Sequence, residues 1–309
     1  MDPLVGLLDG ARARGAFLLR SMLDPPFALR IEDRAPLTVV ALVRGTAWVA
    51  PDDGTQVRLG PGDVAVLRGP DGYLVADDPV TPPQVVIHPG QRCTTLWGEP
   101  LAETMALGVR TWGTGAGATT VLLTGTYQLP GELSRRLLTA LPPLLVVDGE
   151  EWRSPLVPLL ADEVTRDEPG QEAVLDRLLD LVLIAALRTF FARPGAAPAW
   201  YVAAADPVVG PALRLLQNEP ARPWTVAALA AEVGVSRAAL ARRFTELVGE
   251  PPMTFLTGWR LALAADLLRE PDATLGAVAR KVGYGSPFAL SSAFRRVHGV
   301  SPREHRLAR

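Results

Sequence analysis

Two kinds of hydrophobic pattern divide the chain. Between residues 27 and 126 the apolar positions come in short β-type runs: LTVVALV (37–43), TAWVA (46–50), DVAVL (63–67), QVVIH (84–88) and TTVLLTGTY (119–127). The turn clusters PDDG, GPGD and GPDG separate them, a spacing that predicts an antiparallel sandwich or barrel. From residue 132 to 192 the period becomes helical. The strongest helix is predicted over about 171–192, where Val174, Leu175, Leu178, Leu179, Val182 and Ala186 make a wide apolar face. Asp176, Arg177 and Asp180 lie off that face. RPGAAPA (193–199) breaks the pattern and reads as a linker, and from Pro207 onward the chain is predicted to be helical throughout.

The helical part contains LAAEVGVSRAALARRF (229–244). Gly234 suits the left-handed position just past a helix. Ser236 is a favoured N-cap, so a second helix should start at Arg237. Within it Leu240, Phe244 and Leu247 form one apolar stripe, while Arg237, Ala238, Ala241, Arg242 and Thr245 look outward. This is the layout of a helix-turn-helix DNA reader, and also of an ordinary helical hairpin with solvated arginines.

The same pattern recurs in VARKVGYGSPFALSSAF (278–294). Ser236 answers to Ser286, Leu240 to Leu290, Phe244 to Phe294, Gly249 to Gly299 and Pro252 to Pro302, each pair 50 residues apart. Gly234 and Gly283 are 49 apart, so the second turn carries one extra residue. A whole unit, with its cap, core stripe and stop signal, has been duplicated.

Charge follows the same division. Residues 206–309 carry 14 Lys+Arg against 9 Asp+Glu, net +5, whereas residues 1–205 are net −7. A basic part behind an acidic one suits a nucleic-acid-binding module joined to something else. Since Lys281 is the only lysine, arginine enrichment alone says little about DNA contact. The expected division is 1–195 for a sensor and dimerisation domain, 196–205 for a linker and 206–309 for a DNA-binding domain. Cys93 is the sole cysteine, which excludes an internal disulfide. The opening MDPLVGLLDGAR lacks a basic signal-peptide region, and LDLVLIAALRTFF is short and broken by Asp180 and Arg188. The expectation is a cytoplasmic protein with no membrane partner.

With the tandem repeat in view, the last hundred residues resemble the DNA-binding domain of AraC-type transcription regulators. WTVAALAAEVGVSRAALARRFTELVGEPP, FLTGWRLALAADLLRE and VARKVGYGSPFALSSAFRRVHGVSP match in order. The N-terminal part resembles the cupin-type effector domain of one AraC branch, through RGTAWVAPDDGTQVRLGPGDVAVLRGPDGYLVADDP and through LLTGTYQL and LLTALPPLLVV. The resemblance implies an α+β chain: a cupin-like β-barrel with helices, then an all-α domain with two helix-turn-helix units. It implies seven helices in that domain, with a long helix over about Met253–Arg269 holding the readers apart. Phe255, Trp259, Leu263 and Leu267 form an apolar face on it. Both recognition helices would enter successive major grooves, roughly one turn of ~34 Å apart.

Carried over by position, the first reader's base contacts fall on Ala238, Ala241 and Arg242, with Arg237 beside them. Arginine can bridge O6 and N7 of guanine, which makes Arg242 the sharpest candidate. In the second reader the matching positions are Phe288, Ser291 and Ser292. The family commonly has a longer polar or basic side chain where Ser292 stands. Phe288 is expected to touch a thymine methyl or to fold into the core. Arg295 and Arg296 are expected on phosphates, which position without specifying sequence.

Metal-using cupins need clustered histidines and a carboxylate. The N-terminal part has only His88, and AWVAP stands where an HxH pair would be. No metal, no cofactor and no enzymatic activity are expected. GTGAG (113–117) lacks the helix start of a phosphate cradle and reads as a loop. Trp48, Tyr73, Trp97 and Trp112 could line an apolar pocket, with Arg44 or Arg68 as hydrogen-bond donors, or could simply fill the barrel core. The implied partners are double-stranded DNA, a second copy of the chain through the 171–192 helix, an uncharged or anionic and largely apolar effector, and RNA polymerase if the protein activates. Two rival readings are a barrel that serves only oligomerisation or interaction, and a cupin enzyme fused to a DNA-binding domain.

Overall fold

The computed structural model describes residues 17–127, 138, 141–270 and 272–307. The described chain forms two compact units, one ending at Ala196 and the other beginning at Ala197.

The first unit contains β1 (Phe17–Leu23), β2 (Ala28–Ile31), β3 (Leu37–Arg44), β4 (Ala47–Pro51), β5 (Val57–Leu59), β6 (Val64–Arg68) and β7 (Tyr73–Ala76). It continues with β8 (Val85–His88), β9 (Arg92–Thr95), β10 (Ala106–Gly108), β11 (Thr111–Gly113), β12 (Thr120–Tyr127) and β13 (Leu144–Val147). All five β-type runs of the sequence fall on strands. They form two sheets rather than one closed barrel. One sheet has the order β10-β11-β1-β12-β3-β6-β13, the other β5-β4-β7-β2-β8-β9. Most pairs are antiparallel, but β1–β11 and β2–β8 are parallel and so bring together strands far apart in sequence.

Alternate residues from both sheets meet in one core: Leu29 and Ile31, Val40 and Leu42, Val49, Ala65 and Leu67, Val75, Val85 and Ile87. This is the period of 2 expected of strands with one face inward. Strand β3 is buried on both faces through most of its length, because helices cover the outside of its sheet. The covering helix, Gln171–Phe191, buries Leu175, Leu179, Val182, Leu183, Ala186, Leu187 and Phe191. Gly125 of β12 permits the close approach, since a Cβ there would stand 2.5 Å from Leu179 Cδ1. Asp180 of that helix accepts a hydrogen bond from the buried Tyr127 hydroxyl at 3.4 Å.

The GD pair of the GPGD turn has a structural task. Asp63 accepts from Gly60 N at 2.7 Å with one oxygen and from Gly149 N at 2.8 Å with the other. Trp152 Nε1 donates to Gly62 O at 3.1 Å. The turn thereby anchors the short helix Gly149–Trp152.

The second unit is helical from Ala199, earlier than the expected Pro207. Helix Ala199–Ala205 occupies most of the segment expected to be a linker, and Ala203 is buried in the neighbouring core. The seven helices expected beyond residue 206 follow: Val209–Asn218, Val226–Glu232, Arg237–Val248, Pro252–Leu267, Leu275–Lys281, Pro287–His298 and Pro302–Leu307. Helix Pro252–Leu267 joins two cores. Phe255, Leu256 and Trp259 pack with the first hairpin, and Leu261, Ala264, Ala265 and Leu267 with the second.

Candidate nucleic-acid interface

The duplication in sequence is a duplication of local structure. Thr225, Ser236, Thr274 and Ser286 each accept a hydrogen bond from the amide three residues on, at 3.1–3.2 Å. Each therefore satisfies one of the free donors at a helix start. Gly234 and Gly283 adopt φ of +72° and +84° in the two turns, and Gly249 and Gly299 end the two reader helices at +86° and +75°. The extra residue of the second turn lies beside a close contact. A Cβ on Gly283 would come within 2.7 Å of Ala221 Cα and 2.8 Å of Pro220 O. Arg260 donates to Pro220 O at 2.7 Å and to Arg222 O at 2.9 Å, binding the linking helix to the same loop.

Each reader helix turns its apolar stripe inward. Leu240 and Phe244 in the first, and Leu290 and Phe294 in the second, are fully buried. On the outer face of the first, Arg237, Ala238 and Arg242 are exposed and Ala241 is half-buried. The Arg242 side chain is 78% exposed, and its ion pair to Glu246 is long at 3.9 Å. An exposed pair of that length holds a guanidinium weakly.

The adjacent Arg243 has a different task that sequence reading missed. Its Nε and Nη2 donate to the Asp206 carboxylate at 2.9 and 2.6 Å. Asp206 is only 9% exposed and also accepts from Val208 and Val209 N, both at 2.9 Å. Burial works against its ionisation, but Arg243 and the two amides outweigh it and hold the carboxyl below its ordinary range. The available signal was an aspartate just ahead of a helix, a common cap.

In the second reader Phe288 is 81% exposed, so it does not fold into the core. Ser292, Arg295 and Arg296 are exposed and Ser291 is half-buried. Pro287 begins the helix, where it removes no intrahelical hydrogen bond. His298 packs on Phe294 at 4.3 Å between ring centres, and His305 Nε2 lies 3.3 Å from Ala265 O. Both histidines belong to the packing of the last turns.

The six residues considered for an effector pocket are dispersed. Trp112 is buried in the inter-sheet core. Trp97 is 87% exposed on the turn after β9, and Trp48 is half-buried on β4. Arg44 is exposed and donates to Ala118 O. Only Tyr73 and Arg68 come together, in the lining of a cavity of about 310 Å³. His88 hydrogen-bonds Thr94 Oγ1 at 2.9 Å. Among the described residues no three His, Cys, Asp or Glu side chains group as metal ligands would.

Comparison with known proteins agrees with this architecture. A cupin family model matches residues 2–192 and a helix-turn-helix domain model matches residues 229–308. A putative AraC-like transcription regulator of Streptomyces lividans is 32% identical over 99% of this chain and 98% of its own length. Another, from Streptomyces antibioticus, is 31% identical over 99% and 98%. The HTH-type transcriptional regulator AlkR of Acinetobacter baylyi is 26% identical over 99% of both chains. The chain belongs to the AraC family of transcription regulators, with a cupin domain preceding a DNA-binding helix-turn-helix domain.

Proposed function

We propose that this regulator reads its DNA site asymmetrically and that its cupin unit senses a small molecule without catalysing a reaction. The observation that carries the reading is the contrast between two equally built readers. Their caps and buried stripes match, yet one presents Arg237 and Arg242 outward and the other Phe288 and Ser292. Arg242 would specify guanine, Phe288 would meet a thymine methyl, and Arg295 and Arg296 would hold phosphates. Footprinting on the protein's own upstream DNA, with single-base variants of the protected site, tests this reading.

The DNA-binding part begins, on this reading, at about residue 199, because helix Ala199–Ala205 packs within the reader unit. The partners proposed are double-stranded DNA, an effector, RNA polymerase if the protein activates, and a second copy of the chain. Dimerisation is placed on the outer side of helix Gln171–Phe191, where Val174 and Leu181 are exposed. The place of action is the cytoplasm; no described helix is long and apolar enough to cross a membrane.

A second reading makes the cupin unit an interaction module only. It is favoured by the side chains that fill the space between its sheets, Trp112 included. A metabolite screen for altered DNA binding separates the two: a hit supports sensing, and constant DNA affinity supports the interaction module.

A further inference from the structure

The two readers are built on separate cores. Phe255, Leu256 and Trp259 of helix Pro252–Leu267 belong to the first, and Leu261, Ala264, Ala265 and Leu267 to the second. Each core fixes its own hairpin to the helix, and neither contains buried residues of the other hairpin. Arg260 stands between the two groups, half-buried where the helix passes from one core to the other.

A polar joint does cross from one half to the other. Arg260 Nε donates to Pro220 O at 2.7 Å, and Nη2 donates to Arg222 O at 2.9 Å. Both carbonyls lie in the loop ahead of the first hairpin. The same Nη2 would stand 2.9 Å from a Cβ on Gly283, the turn glycine of the second reader. Ala221 Cα and Pro220 O crowd that Cβ position too, at 2.7 and 2.8 Å. Loop, guanidinium and turn thus meet at one place. At the equivalent Gly234 a Cβ has nothing within 4 Å, so this contact does not come with the turn itself.

Both sides of the joint are stiff. Glu219 O accepts from Arg222 N at 3.1 Å and from Trp224 Nε1 at 3.0 Å, and Trp224 is buried in the first core. The Arg222 guanidinium lies 4.0 Å from the Trp224 ring centre and pairs with Glu232 of helix Val226–Glu232. On the other side Gly283 N and Tyr284 N return to Arg280 O and Ala279 O at 3.2 and 2.8 Å. Ser286 then caps the second reader helix.

We propose that Arg260 is the positioning residue that sets the separation and relative orientation of the two recognition helices, and so the spacing of base contacts the protein accepts. A planar guanidinium holds two carbonyls in a fixed fork, which a single ammonium cannot reproduce. Readers held in place beforehand meet both halves of a site without an ordering cost. Arg260 acts through the backbone of its neighbours, not on the bases. The proposal rests on the reading that both helices engage one DNA site.

The test uses the full chain and duplexes carrying the site it selects, unaltered or with one base pair inserted or deleted between the halves. One base pair turns the halves by roughly 35° relative to each other. The wild type should lose about tenfold in affinity on either altered duplex, the worth of one good base contact. Arg260→Met keeps the unbranched stem and removes the fork. It should bind the unaltered site more weakly yet lose no more than about threefold on the altered ones, less than one such contact. Arg260→Lys should fall between the two. Equal weakening on all three duplexes, with discrimination at the wild-type level, is what a purely structural role gives and overturns the proposal. If Arg260→Met does not fold, Arg260→Lys decides: wild-type discrimination in that variant overturns the role, and a reduced one supports it. A wild type indifferent to spacing would instead defeat the two-reader reading itself.

Discussion

Arg243 and Asp206 stand 37 residues apart and are joined by Nε and Nη2 contacts of 2.9 and 2.6 Å. The same carboxylate holds the first turn of helix Val209–Asn218 through Val208 and Val209 N. A reader helix is thus fixed to the helix that precedes its helix-turn-helix pair. One arginine of the Arg242–Arg243 pair supports the fold, and the other is exposed and is the one proposed above to read DNA.

Asp206→Ala should lower the stability of the reader unit by about 1 kcal/mol, the usual cost of losing a helix cap. The contact also carries a pH signature. The folded carboxyl holds its proton less readily than the unfolded one, whose ordinary value is 3.8. Its contribution is therefore complete above that value and is lost as pH falls through the lower, folded one. Urea unfolding of the wild type and of Asp206→Asn should differ at pH 6 and converge in strong acid. A constant difference would remove the charge from the account.

Arg242→Ala should weaken binding to the preferred site by about 1–3 kcal/mol and relax the preference at one G·C pair. Ser292→Ala should change little. Fluorescence anisotropy on a panel of single-base variants checks both.

Phe288 and Phe294 lie six residues apart on one helix and should behave oppositely. Phe294→Ala removes a fully buried ring and should cost about 3–5 kcal/mol of stability. Phe288→Ala should leave thermal unfolding unchanged and weaken DNA binding where thymine is contacted. A large drop in melting temperature for Phe288→Ala would mean that the ring supports the fold.

The two turn glycines give a paired test. At Gly234 a Cβ meets nothing within 4 Å, so Gly234→Ala adds only left-handed backbone strain of roughly 1–2 kcal/mol. At Gly283 the same strain is joined by a collision with the backbone of residues 220–221, so Gly283→Ala should destabilise more. Equal melting temperatures for the two variants would contradict the packing described for the second turn.

Much of this was legible in the sequence because it is local. Ser236 and Ser286 cap, Gly234 and Gly283 turn, and Leu240 with Phe244 and Leu290 with Phe294 face inward, each by rules acting over a few residues. The strand runs were equally plain. Long-range placement was not. The parallel pairing of β2 with β8 joins segments more than 50 residues apart, and it fixes where Tyr73 sits, through β7. Sequence alone could not tell buried Trp112 from exposed Trp97, since strand facing depends on register. Helix Ala199–Ala205 is not legible in the sequence because RPGAAPA runs into its first residue and it buries only Ala203.

The wide apolar face of helix Gln171–Phe191 is largely used against its own sheet, as Leu179 on Gly125 shows. Dimerisation there must rest on the remaining side. Leu181→Arg should therefore leave the fold intact while shifting sedimentation from dimer to monomer. A dimer unaffected by that change would place the interface elsewhere.

The central claim, an asymmetric reader, is tested most directly by selecting binding sites for the full chain from random duplex DNA and sequencing them. The account predicts a motif with one strongly specified half centred on a G·C pair, read by Arg242. About one helical turn away should lie a weaker half, richer in thymine and tolerant of substitution. Selection of two equally specified halves, or of no motif at all above background, would contradict it.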